Sequence, residues 1–204
     1  MDNEEKQCWL ASASPRRLEL LNQIGITPTR VVSPDIDESV KVDEDPQALV
    51  TRLAVAKCRA VCDEHHPEQS TVVIAADTVV VVNGTVLGKP ADQNEFLDMM
   101  AMLSGQTHSV WSGLCVRGWC DDDWHDRVLG VETRVTIAIG NEAQWRSYWH
   151  SAEPRDKAGG YAIQGRGALL VKAIEGSYSN VVGLPLYELS KALEDFGVNV
   201  WNHY

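Results

Sequence analysis

The sequence predicts an α/β or α+β fold built on a largely mixed sheet. Two observations lead there. Apolar or alternating runs at 8–11, 71–87, 108–120 and 127–139 have the period of strands. Between them, residues 14–25, 46–63, 92–103 and 141–150 carry helical spacing or helix-start signals. No repeat, low-complexity tract or long linker interrupts the chain, so residues 1–204 are expected to form a single domain.

The elements follow in order. Residues 8–11 read as a short strand. Ser14 and Pro15 then supply an N-cap and a first-turn proline, Leu18, Leu21 and Ile24 take helical spacing, and Gly25 closes the helix. The segment SASPRR (12–17) therefore sits at a strand-to-helix junction. Residues 31–45 are polar and irregular. A helix is expected from Pro46 to about Asp63, with Leu49, Leu53, Ala56 and Ala60 on one face. Thr71 to Leu87 is the clearest β signal: TVVIAA (71–76) reads as a buried strand, TVVVV (78–82) follows, and Asn83-Gly84 is a type I′ hairpin turn. Asp92 and Glu95 resemble a capping box for a helix through Leu103. Two antiparallel strands, a short helix from Asn141 and a glycine-rich loop at 154–167 come next. Strands at 168–174 and 178–182 precede a last helix marked by Leu186, Leu189, Leu193 and Phe196.

Composition narrows the function classes. Hydrophobic residues make up 44 % of the 204 and charged residues 23 %, the profile of an ordinary globular protein. The net charge of −11 argues against general nucleic-acid binding and against attachment to anionic membrane by charge. No apolar run approaches the ~18 residues of a membrane span. The acidic opening MDNEEKQ differs from the basic start of a signal peptide, so a cytoplasmic protein is expected. The five cysteines form no CxxC pair, and reduced thiols are the default. Cys58, Cys62, His65 and His66 cluster loosely but fit no zinc-ligand spacing.

A few residues stand out for their chemistry. Asp77 interrupts the apolar run VVIAADTVVVV (72–82). Burying a carboxylate is costly unless it is paired or binds a cation. It is either a hydrogen-bonded aspartate at a strand end or a carboxylate for a metal or a water. Ser12, Ser14, Arg16 and Arg17 lie at a helix N-terminus, where amides and guanidinium groups can cradle phosphate; a solvated first turn is the plainer alternative. Lys89 lies in LGKP (87–90), either a defined loop lysine or a surface turn. Lys57 follows small apolar residues, as a snorkelling lysine on a helix edge would. Glu38 is an acidic loop residue. Gln164, in the glycine-rich loop, offers the donor and acceptor needed to read a base edge. The six histidines flank helices or loops without a partnered nucleophile.

Taken in order, LASASPRRLELL (10–21), ADTV (76–79) with GKP (88–90), LSGQTHSV (103–110), and DKAGGYAIQG (156–165) through VGLP (182–185) resemble the Maf family of nucleoside triphosphate pyrophosphatases. The resemblance spans about residues 8–196. It implies an elongated mixed sheet flanked by helices, with two lobes and a central cleft, similar to the inosine-triphosphate pyrophosphatases. It implies hydrolysis of a nucleoside triphosphate to the monophosphate and pyrophosphate with a divalent cation, Mg²⁺ or Mn²⁺. Asp77 matches the family's proton acceptor, and Ser12, Arg17, Lys57 and Lys89 match positions that hold the triphosphate. Glu38 matches an acidic residue of the catalytic region and, with Asp77, a metal ligand. Arg16, Thr78 and Gln164 match the base-specificity positions of the branch acting on dTTP and UTP. The sister branch, acting on 7-methyl-GTP, has an acidic residue in place of Gln164. Ala75 departs from a common glycine, and Gly160 and Ala162 depart from a loop that often reads AGAYGIQG. Neither departure removes a reactive group. Homodimerisation is a family-level expectation. A 7-methyl-GTP pyrophosphatase and a non-enzymatic nucleotide-binding regulator of septum formation are the competing readings.

Overall fold

The computed structural model describes residues 6–202; the acidic opening and His203 lie outside the described residues. In chain order the elements are β1 (Gln7–Ala11), α1 (Pro15–Gln23), β2 (Arg30–Val32), α2 (Pro46–His65), β3 (Thr71–Val82), β4 (Thr85–Leu87), α3 (Gln93–Leu103), β5 (Thr107–Cys120), β6 (Asp123–Ile137), α4 (Glu142–His150), β7 (Val171–Glu175), α5 (Tyr178–Val182) and α6 (Leu186–Glu194). Short 3₁₀ turns lie at Glu153–Asp156, Ala158–Gly160, Gly165–Leu169 and Val200–Asn202. The seven strands form one sheet in the order β2-β1-β3-β5-β6-β7, with β4 hydrogen-bonded to β3 off that path. β1 runs parallel to β2 and β3, whereas β4 is antiparallel to β3 and β7 to β6. The sheet is mixed, as the alternation of strand and helix patterns predicts.

The described chain divides into two compact units. The first holds the residues up to Asp77, Ser112–Val131 and those from Gly183; the second holds Thr78–Trp111 and Glu132–Val182.

The first unit is organised by α2. Asp45 caps it by accepting the Ala48 amide, and Pro46 starts it with a preset φ. Its buried stripe is Leu49, Val50, Leu53, Ala54, Lys57, Cys58 and Val61, at spacings of three and four. Of the face expected from the sequence, Leu49 and Leu53 are buried, whereas Ala56 and Ala60 are only half-buried, because the stripe runs on through Lys57 and Val61. Ala54, Cys58 and Val61 share a core with Ala11, Val73, Ala75 and Cys115. The approach of helix to sheet is close. A Cβ on Gly113 of β5 would meet the Val50 carbonyl oxygen at 2.1 Å, so only glycine fits there.

The second unit packs Phe96, Met99, Met100 and Leu103 of α3 against Val80, Val110, Val135, Ile137 and Tyr148. Asp92 caps α3 by accepting the Asn94 and Glu95 amides. Glu95 answers to the Ala91 amide, one residue before the cap, so the expected box is displaced. A complete box occurs instead at α4, between Asn141 and Gln144. Asn83 and Gly84 have φ of 50° and 78°, as a type I′ turn requires.

Three segments depart from the sequence-based expectation. Residues 30–32, taken mostly as irregular, add β2 at the sheet edge because parallel pairing with β1 satisfies their backbone. The glycine-rich stretch folds into successive 3₁₀ turns, with Gly159 and Gly160 buried rather than in an open loop. Residues 178–182 form helix α5, not a strand. The Ser177 hydroxyl accepts the Asn180 amide, and Asn180 Nδ2 donates to Val110 O and Thr133 Oγ1. This local capping outcompetes the β-branched propensity of Val181 and Val182.

Candidate functional site

Asp77 lies inside the twelve-residue strand β3, not at a strand end. Lys57 of α2 meets its carboxylate, with Nζ donating to Asp77 Oδ1 at 2.6 Å. Lys57 is therefore no snorkelling lysine. It is buried on the core-facing stripe of α2. The same Nζ lies 2.6 Å from Glu38 Oε1. One ammonium thus joins a strand carboxylate and a loop carboxylate.

The Glu38 segment is tied to α2. Arg52 donates from Nε and Nη2 to the two oxygens of Glu44 at 2.6 and 2.7 Å, and from Nη2 to Ser39 O at 3.0 Å. The Asp37 carboxylate turns the chain by accepting the Ser39 amide. Arg52 and Glu44 were not singled out from the sequence. Their pairing draws the Glu44 carboxyl down to about 2, the Arg52 hydrogen bond being the largest cause and the Lys41 amide the next.

On α1, Ser14 occupies the N-cap position, but its hydroxyl makes no cap bond. Its amide instead donates to Ser12 Oγ at 3.2 Å. Ser12 Oγ also accepts Arg17 Nη1 at 3.0 Å, and Arg17 Nε donates to Gly183 O at 2.8 Å. Burial pulls the Arg17 guanidinium below its ordinary value. The charges of Asp77 and Glu38 oppose that fall, and Arg16 adds to it. Ser12, Arg17, Glu38, Lys57 and Asp77 thus form one charged cluster in the first unit, with half-buried Arg16 at its side.

Thr78, Lys89 and Gln164 belong to the second unit. Thr78 follows Asp77 in β3 and so projects to the opposite face of the strand. Lys89 is exposed just after β4. Its segment is joined to the glycine-rich one by the Gly159 amide, which donates to Gly88 O at 2.9 Å. Gln164 is half-buried at the start of the 3₁₀ turn Gly165–Leu169.

His108 departs from the expectation for the histidines. It lies in β5, buried, with Nε2 2.7 Å from the Tyr161 hydroxyl. His125 also lies in a strand.

The donor set suits a hard cation. Glu38 and Asp77 already converge on one positive nitrogen, and carboxylate oxygens are the ligands Mg²⁺ and Mn²⁺ prefer. No group of three or more His, Cys, Asp or Glu residues is gathered for a metal among the described residues. Two carboxylates with substrate phosphates and waters is the usual Mg²⁺ arrangement in nucleotide enzymes. No described helix is long and apolar enough to cross a membrane.

Comparison with known proteins shows the family. Residues 7–196 match the family described as Maf-like protein. A dTTP/UTP pyrophosphatase of Sphingopyxis alaskensis is 46 % identical over 189 residues, covering 93 % of this chain and 96 % of that one. Its namesakes from Alkalilimnicola ehrlichii and Symbiobacterium thermophilum are 42 % and 45 % identical. Each alignment spans 96 % of this chain and 96 % or 97 % of the relative.

Proposed function

The chain belongs to the Maf-like family, and from that premise we propose that it hydrolyses dTTP and UTP, with modified pyrimidine nucleotides as further candidates, to the monophosphate and pyrophosphate. The observation that carries the reading is the convergence of Asp77 and Glu38 on Lys57, within electrostatic reach of Arg17.

Asp77 orients a water and takes its proton as the oxygen attacks the α-phosphorus. The bond to the bridging oxygen breaks, and pyrophosphate leaves. A positioned base of this kind contributes about 10²–10⁴-fold in rate. Ser12 and Arg17 hold phosphate oxygens at the start of α1, where the helix dipole favours an anion. Lys57 and Lys89 balance the charge that grows on the leaving pyrophosphate. Glu38 and Asp77 would hold a divalent cation, which would neutralise triphosphate charge. Arg16, Thr78 and Gln164 select the base, Gln164 by pairing its amide with the N–H and carbonyl edge of uracil or thymine.

The test is a substrate panel of dTTP, UTP, CTP, dATP, dGTP and 7-methyl-GTP with Mg²⁺, assayed separately for pyrophosphate and orthophosphate. Pyrophosphate release with the highest kcat/KM on dTTP and UTP is expected. Preference for 7-methyl-GTP would move the chain to the sister branch, and binding without turnover would favour the non-enzymatic reading.

A further inference from the structure

We propose that Glu153 is a positioning residue for base selection, fixing the backbone on both sides of Gln164. The proposal rests on the reading above that Gln164 contacts the base.

Glu153 starts the 3₁₀ turn that follows α4. Its two carboxylate oxygens gather three donors. Oε1 accepts the Tyr148 hydroxyl at 2.7 Å and the Gly167 amide at 2.8 Å. Oε2 accepts the Arg166 amide at 2.9 Å. The Tyr148 hydroxyl in turn accepts the Ala162 amide at 3.1 Å. The chain is therefore held two residues before Gln164, and again two and three residues after it. Every hold leads to one carboxylate, directly or through one phenol.

The glycines around Gln164 fit this arrangement. Gly165 has φ of +64°, and a Cβ there would stand 2.5 Å from Glu153 Oε2. A Cβ on Gly167 would meet Ala162 O at 2.1 Å and the Tyr148 hydroxyl at 2.6 Å. Side chains at either position would push the backbone off the carboxylate. Burial pushes the Glu153 carboxyl up, but the Tyr148 hydroxyl, the two amides and Lys157 outweigh it and hold the group below its ordinary range. The clamp is thus charged under ordinary conditions, when it accepts hydrogen bonds most strongly.

Such a clamp matters for selection. An amide that swings can offer its donor or its acceptor to either kind of base edge. One that is held leaves a mismatched edge unpaired, which is the source of strong discrimination.

UTP and CTP share sugar, phosphates and size and differ in the base edge, so their kcat/KM ratio isolates selection. It would be measured for wild type, Glu153→Gln, Tyr148→Phe, Gln164→Ala and the Glu153→Gln/Gln164→Ala double variant. In Glu153→Gln one acceptor becomes an NH₂ facing a backbone N–H. The UTP/CTP ratio should fall about 10-fold, the scale of one good hydrogen bond, through a raised KM for UTP with kcat nearly kept. Tyr148→Phe should move it the same way by less. In the Gln164→Ala background, Glu153→Gln should leave the ratio unchanged.

Equal loss of kcat on both substrates with the ratio preserved would mean a merely structural role and overturn the proposal. If Gln164→Ala collapses the ratio while Glu153→Gln and Tyr148→Phe keep it, the proposal alone fails. If Gln164→Ala keeps the ratio, the base-reading assignment fails and this proposal with it. Should Glu153→Gln not fold, Tyr148→Phe decides, since it removes the phenol between Glu153 and Ala162 and keeps the carboxylate's bonds to the Arg166 and Gly167 amides.

Discussion

Lys57 Nζ stands 2.6 Å from Asp77 Oδ1, with 10 % and 12 % of the two side chains exposed. The same nitrogen serves Glu38 at 2.6 Å, whose side chain is 56 % exposed. One ammonium therefore bridges two carboxylates, one dry and one wet, with the Arg17 guanidinium in electrostatic reach of both. A dry ion pair is weak ground for stability, because desolvation offsets most of the attraction. It does hold a carboxylate in the middle of a sheet strand. On the proposed reading, an arriving triphosphate gives Lys57 a new anionic partner and leaves both carboxylates facing a divalent cation.

Asp77→Asn keeps the volume and a hydrogen-bond acceptor for Lys57 but removes the base. It should retain the fold and nucleotide binding while kcat for pyrophosphate release falls by at least about 10²-fold. A folded variant with near wild-type turnover would refute the assignment of Asp77 as base.

Lys57→Met keeps the apolar stem but removes the ammonium that both Asp77 and Glu38 contact. Breaking a buried pair costs about 3–5 kcal/mol when the orphaned charge stays dry. Arg17, in electrostatic reach of both carboxylates, remains and brings the cost to the low end of that range or below it. Thermal unfolding should show the loss. Mg²⁺ or Mn²⁺ should then raise Tm more in the variant than in wild type, because an ion bound only by the folded state stabilises it. Equal shifts would argue against Glu38 and Asp77 as the cation's ligands.

Gln164→Glu exchanges a donor–acceptor pair for acceptors alone. A carboxylate facing a pyrimidine carbonyl should lower kcat/KM for UTP by about 10-fold, one hydrogen bond's worth. Parallel kinetics on UTP, dTTP and 7-methyl-GTP check this. An unchanged ranking and efficiency would remove Gln164 from base recognition.

Part of the charged cluster was legible because two features broke a local pattern. Asp77 interrupts an apolar strand, and two arginines begin a helix where cations are disfavoured. Lys57 was legible in principle too. It lies four residues from both Leu53 and Val61, on the stripe that is buried, but taking Ala56 and Ala60 for the core face put it at the edge. His108 has a period-two signal: it alternates with Val110 and Ser112, all buried. Glu38 could be reached only through resemblance. Its place depends on Arg52 gripping Glu44 and Ser39, a tertiary arrangement that no spacing encodes. The five-residue helix α5 was hidden for a similar reason, since the side-chain bonds of Asn180 reach residues 47 and 70 positions away.

His108 gives a prediction outside the charged cluster. Burial lowers its imidazole from the ordinary value of 6.5 to about 4. Nε2 meets the Tyr161 hydroxyl, and Nδ1 has no hydrogen-bond partner among the described residues. The folded protein therefore keeps this ring neutral where the unfolded chain would protonate it. Between pH 6.5 and 4 the unfolded state binds more protons, so stability falls as pH falls through that window and levels off below about 4. The full effect is about 3 kcal/mol by linkage, at roughly 1.4 kcal/mol per pH unit. Carboxylates such as Glu44, held down to about 2, act at lower pH, from their unfolded value of 4.5 downwards. The two regimes separate in a thermal unfolding series from pH 8 to pH 3. His108→Gln keeps a polar partner for Tyr161 but cannot titrate. It should be less stable than wild type at pH 8 and should lose the slope between pH 6.5 and 4, while keeping the steeper fall below 4.5. If variant and wild type show the same slope above pH 4.5, the ring is not held neutral and another group carries the dependence.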